Sequence, residues 1–134
     1  MTAGGAPPVT GASAWFPADP ASVADVRQFV VASLDGAYPA LQDTVLLVAS
    51  ELATNALRYG GTGPYLVGVE EVARGVRVTV TDDGSGHPAL LDPATTDLTG
   101  RGLRIVDAFS DSWGVSRFAG TSGKAVWSEV CLPG

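Results

Sequence analysis

Val76-Arg77-Val78-Thr79-Val80-Thr81-Asp82-Asp83-Gly84-Ser85-Gly86 is the stretch that decides how the rest of this chain is read. Its valines fall on one face, and Arg77, Thr79 and Thr81 fall on the other. That alternation describes a β-strand with one buried side. The strand runs directly into Asp-x-Gly-x-Gly. Two glycines let the backbone turn sharply and approach a ligand closely. A carboxylate at the strand end, Asp82, can accept a hydrogen bond from an exocyclic amine. An ordinary Asp-Gly turn is the other reading of the same residues.

On the N-terminal side, Tyr65 to Val72 reads as the hairpin partner, joined through Ala73-Arg74-Gly75. A helix from Pro39 to Tyr59 precedes it, with Leu41, Val45, Val48, Leu52 and Ala56 as its apolar stripe. Gly60-Gly61-Thr62-Gly63-Pro64 ends it. Glu51, Asn55 and Arg58 share a helix face lying away from most of that stripe. A carboxylate and a carboxamide one turn apart suit a magnesium–phosphate site. The amide oxygen can ligate a hard cation, and the carboxylate can position a hydroxyl or water. A merely solvated helix face is the alternative. An earlier helix opens at Asp19 as N-cap and Pro20 as first helical residue. It continues through Val23, Val26, Phe29, Val30 and Leu34 and stops at Gly36. A short strand, Ala14 to Pro17, begins the folded part, and residues 1–13 read as a disordered Gly/Pro-rich tail.

On the C-terminal side, Asp82 to Thr99 reads as a long loop of the kind that carries function. Gly100-Arg101-Gly102-Leu103 leads into a third helix, Leu103 to Phe109. Glycines there free backbone N–H groups at a helix N-terminus, an anion site to which Arg101 and Arg104 add charge. A flexible junction is the alternative. Two strands close the chain, Ser112 to Phe118 and Lys124 to Leu132, joined by Ala119 to Gly123. Helices come early and strands late, with short connections. This predicts an α+β sandwich, its sheet antiparallel and its helices on one face. Trp15, Trp113 and Trp127 are expected to pack in the core or at the sheet edge.

At 134 residues the chain fits one domain with a real core, residues 14–134. A net charge of −6 argues against direct nucleic-acid binding, so any polyanion must be met by local features. The single cysteine, Cys131, excludes an internal disulfide and a cysteine-rich zinc site, and its alternating apolar run suggests a small core residue. No secretory signal and no apolar run of membrane-spanning length is present, so a cytoplasmic location without membrane association is expected.

A helix with Glu-x-x-x-Asn, a hairpin, Asp-x-Gly-x-Gly, a loop, then Gly-x-Gly and a helix: this order resembles the N, G1 and G2 boxes of the histidine-kinase-like (Bergerat) ATPases. The resemblance spans Ala14 to Leu132, and the segment Gly100 to Gly114 is most similar to the anti-sigma-factor serine/threonine kinases. It implies a Bergerat-type α/β sandwich with a mixed, mostly antiparallel sheet. It further implies ATP and Mg²⁺ as ligands, with Asn55 on the metal and Glu51 as catalytic base or water-positioning group. Asp82 would receive the adenine amine. Gly84, Gly86, Gly100, Arg101, Gly102 and Leu103 would shape the base pocket and phosphate loop, and His87 to Thr99 would form a lid. The implied partners are an anti-anti-sigma antagonist, phosphorylated on serine, and a sigma factor, held while the antagonist is phosphorylated; a homodimer is compatible with this. The first helix would be the place for a partner surface. A sensor-kinase reading fits poorly, because the only histidine, His87, stands beside the Asp-x-Gly-x-Gly loop. Two positions depart from the anti-sigma pattern. Tyr59 stands where histidine is usual, and Lys124 follows Gly123 where threonine usually supports the adenine contact. These departures keep open a non-catalytic, ATP-binding partner-switching module.

Overall fold

In the computed structural model, which describes residues 11–84, 96–120 and 123–133, eight elements follow one another. They are β1 (Ala12–Phe16), α1 (Ser22–Leu34), α2 (Gln42–Tyr59), β2 (Tyr65–Val72), β3 (Gly75–Asp82), α3 (Thr96–Phe109), β4 (Ser112–Arg117) and β5 (Lys124–Cys131). The strands form one sheet in the order β1-β2-β3-β5-β4, and every pairing is antiparallel. The α+β architecture is as expected. The parallel component of a mixed sheet is not present among the described strands.

Period-two alternation sets the inner face. Tyr65, Val67 and Val69 of β2, Val76, Val78 and Val80 of β3, and Val126 and Val130 of β5 are all buried. Helical spacing supplies the opposing layer, with Val26, Val30 and Leu34 of α1 and Val45, Val48 and Leu52 of α2 at 0–1% exposure. Each such side chain contributes about 1.5–3 kcal/mol when removed from water. Arg27 ties the two helices together, donating to Ser50 Oγ at 2.9 Å. The first helix starts later than Pro20, at Ser22. Its N-cap position is Ala21, not Asp19, and no side chain caps it; the Asp19 Oδ1 instead closes the preceding turn by accepting the Ala21 N–H at 2.9 Å.

The structure departs from the sequence expectations in several places. Ala12 and Ser13, assigned to the tail, are paired in β1 with Val69 and Gly68. The second helix begins at Gln42, because residues 38–41 form a separate turn closed by the Leu41 N–H on the Tyr38 carbonyl at 2.9 Å. Gly75 is a strand residue paired with Val72 and Cys131, so the turn is Ala73-Arg74, with Arg74 at φ 66°. A Cβ on Gly75 would meet the Val130 carbonyl at 2.2 Å. The third helix starts at Thr96, not Leu103. Thr96 and Asp97 suit a helix start, and Leu98, Ile105 and Phe109 repeat at helical spacing through the two glycines. Cys131 is half-buried on the open face of the sheet rather than in the core. Trp127 lies on that open face too, with the Arg77 guanidinium 5.1 Å from its ring centre. Trp113 packs against the core, whereas Trp15 on edge strand β1 is 65% exposed. Among the described residues no helix is long and apolar enough to cross a membrane.

Candidate active site

The C-terminal end of α2, the end of β3 and the start of β5 meet at one point. Asp82 is the last residue of β3, on the inward register set by Val76, Val78 and Val80, so its carboxylate enters the helix side of the sheet, where only 6% of the residue is exposed. Directly opposite it in the ladder stands Lys124, the first residue of β5, with 1% exposure. The Lys124 ammonium donates to Asp82 Oδ1 at 2.9 Å, to Oδ2 at 3.2 Å and to the Tyr59 carbonyl at 3.3 Å. Its three N–H groups are thereby all engaged. The Tyr59 carbonyl belongs to the last turn of α2, where the helix dipole favours a cation.

Two glycines admit this arrangement. A Cβ on Gly60 would lie 2.5 Å from the Ala56 carbonyl and 2.7 Å from Asp82 Cγ, so the absence of a side chain is what lets the carboxylate reach the end of α2. Gly84, at φ 72°, folds its backbone over Asp82 and donates its N–H to Oδ1 at 2.7 Å. Asp82 thus holds two kinds of intramolecular donor, one neutral and one charged.

From this corner α2 runs back past Asn55 and Glu51. At 1.5 Å per residue, Asn55 lies about 6 Å and Glu51 about 12 Å along the axis from Tyr59. Asn55 is buried at 8% exposure, while Glu51 is half-buried. Burial raises the Glu51 carboxyl above its ordinary pKa, and the positive charge of Arg58 two turns on partly opposes that. Among the described residues no group of three or more His, Cys, Asp or Glu side chains could hold a metal by itself. A magnesium ion that takes one or two oxygens from protein and the rest from phosphates and water needs no such cluster. The Asn55 carboxamide oxygen fits that kind of ion, with Glu51 one turn away to position a hydroxyl or water.

The other sequence-derived site residues fare unevenly. Gly86 and the lid residues 87–95 lie outside the described residues. Gly100, Arg101, Gly102 and Leu103 fall inside α3 instead of ahead of it. Their N–H groups therefore do not form that helix's free N-terminus, which lies at Thr96. Leu103 is half-buried, Arg104 is exposed, and the Arg101 side chain lies outside what is described. The Tyr59 carbonyl and Gly60 were not singled out from the sequence. The position of Lys124 had a signal: counting back by twos from Val130 and Val126 puts it on the buried side of β5.

A family model described as the histidine kinase-like ATPase domain matches residues 16–128. The chain belongs to this family. The matched span runs from the end of β1 into β5 and so includes Glu51, Asn55, Asp82 and Lys124. Among solved structures this histidine kinase-like ATPase domain is similar to the Acinetobacter baumannii histidine kinase AdeS, with 15% sequence identity and a TM-score of 0.49. That match covers 92% of this chain and 68% of the other. No curated protein matches the chain in sequence.

Proposed function

We propose that this domain binds Mg²⁺-ATP and acts as a serine/threonine protein kinase of the anti-sigma-factor type, phosphorylating an anti-anti-sigma partner and sequestering a sigma factor. The order of groups along α2 carries the proposal. Asp82 stands at its C-terminal end, Asn55 one turn back and Glu51 a further turn back. An extended nucleotide laid along this helix would have its base at Asp82, its phosphates at Asn55 and its terminal phosphoryl group toward Glu51.

Each residue then has a definite task. Asp82 accepts from the base. The Asn55 carboxamide oxygen would hold Mg²⁺, which supplies charge neutralisation on the phosphates when bound. Glu51 takes the proton of the attacking serine hydroxyl as its oxygen bonds to the γ-phosphorus. The bond from that phosphorus to the bridging oxygen breaks, and ADP leaves. The protein contributes position and electrostatics rather than covalent chemistry.

A second reading is favoured by one observation: the Asp82 carboxylate is already paired with Lys124. A domain whose base-recognising group is engaged internally suits a non-catalytic partner-switching module. One paired measurement separates the two. Asn55→Ala is expected to weaken Mg²⁺-ATP binding itself. Glu51→Ala is expected to leave binding nearly intact and to slow transfer to a serine of an antagonist protein by roughly 10²–10⁴-fold. A wild-type protein that binds ATP and phosphorylates no candidate partner would select the module.

A further inference from the structure

We infer that Lys124 is a built-in occupant of the base-recognition site: its ammonium holds the acceptor on Asp82 that a 6-amino purine would use, and so strips the pocket of selectivity for that amine. The inference rests on the reading of Asp82 as the base acceptor. The geometry behind it is local and complete. The ammonium lies 2.9 and 3.2 Å from the two carboxylate oxygens, so it sits between them at the mouth of the group. The Gly84 N–H holds Oδ1 from another direction. The Asp82 and Lys124 side chains are 4% and 1% exposed, so water does not screen the pair.

An incoming exocyclic amine is a neutral donor. To reach the carboxylate it must displace or share with a charged donor that is also anchored on the Tyr59 carbonyl. Charged hydrogen bonds are stronger than neutral ones, so the exchange runs against the amine. A purine carrying a 6-oxo group loses nothing by comparison, because it brings no donor at that position. The consequence is a pocket that takes ATP and ITP with similar, modest affinity. The ion pair also preforms the corner between α2, β3 and β5 without any nucleotide.

The test is calorimetric titration of ATP and ITP, each with Mg²⁺, into wild type, Lys124→Thr and Lys124→Met. Circular dichroism and a melting curve on each sample establish that it is folded. Threonine clears the carboxylate mouth, and methionine keeps the length of the side chain without its charge. Wild type is expected to bind the two nucleotides within about threefold of each other. Both variants are expected to bind ATP about tenfold to a hundredfold more tightly than wild type, with ITP little changed; this is the range of one hydrogen bond to a charged group. A wild type that prefers ATP over ITP tenfold or more overturns the inference without recourse to any variant. So does a wild type that binds ATP as tightly as a folded variant. ATP binding to none of the folded proteins overturns both this inference and the ATP-binding reading beneath it.

Discussion

Glu51 is the residue whose chemistry depends most on its neighbours. Burial lifts its carboxyl above the ordinary glutamate value, and Arg58 partly restrains that lift. A base acts only when deprotonated. With the pKa raised, phosphoryl transfer is expected to fall on acidification at a pH above the ordinary glutamate range. Removing the positive charge with Arg58→Ala lets the pKa rise further, so the acidic limb of the pH–rate profile is expected to move to higher pH. Glu51→Gln is expected to abolish that limb. Rates for the three proteins across mildly acidic to neutral pH check this, and an unmoved limb in Arg58→Ala would detach Arg58 from the base. The sequence showed the i, i+4, i+7 face on which these residues stand, because helical periodicity fixes it. The desolvation of Glu51 and Asn55 was not legible, because it depends on what packs against α2.

At the level of elements, the junction of α2 with β3 depends on a residue that has no side chain, Gly60. Gly60→Ala would put a methyl group 2.7 Å from the Asp82 carboxylate and 2.5 Å from the Ala56 carbonyl. Both neighbours are held, the first by Lys124 and Gly84 and the second by the helix. The substitution is expected to cost about 1–3 kcal/mol, as overpacking of a tight site does, and to weaken nucleotide binding by displacing Asp82. Chemical denaturation alongside nucleotide titration checks both effects; a neutral result would show that the α2 terminus gives way freely. From the sequence this glycine reads only as a helix stop, and its steric role needs the third dimension. The third helix shows the opposite failure. Gly100 and Gly102 read as breakers, yet Leu98, Ile105 and Phe109 carry a helical repeat straight through them. The helix runs through both at a cost of about 1 kcal/mol of poor propensity per glycine, and it docks on the core through Val106, which is 1% exposed. Strand existence and facing in β2, β3 and β5 were legible because period-two alternation encodes both. Strand order was not, because β5 pairs with β3 across the whole intervening segment rather than with a neighbour alone.

For the whole molecule, the pairing of β3 with β5 brings together residues 42 positions apart at Asp82 and Lys124. The β2–β3 hairpin, by contrast, closes over the two residues Ala73 and Arg74. Chain closure over a long span costs entropy before any contact repays it, so the hairpin is expected to form early and the clasp between Asp82 and Lys124 late. Interactions absent from the transition state govern the rate of unfolding and leave the rate of folding almost untouched. Lys124→Met strands a buried carboxylate, a loss of about 3–5 kcal/mol. In stopped-flow denaturant-jump experiments the folding arm is expected to shift by less than about twofold, while unfolding accelerates on the order of 10²–10⁴-fold. A folding arm slowed as much as the unfolding arm is accelerated would place the clasp in the nucleus instead. If it closes last, the lysine acts as a latch on the native state: it sets how long a folded molecule persists between openings, and therefore its exposure to proteolysis, whether or not a nucleotide ever arrives.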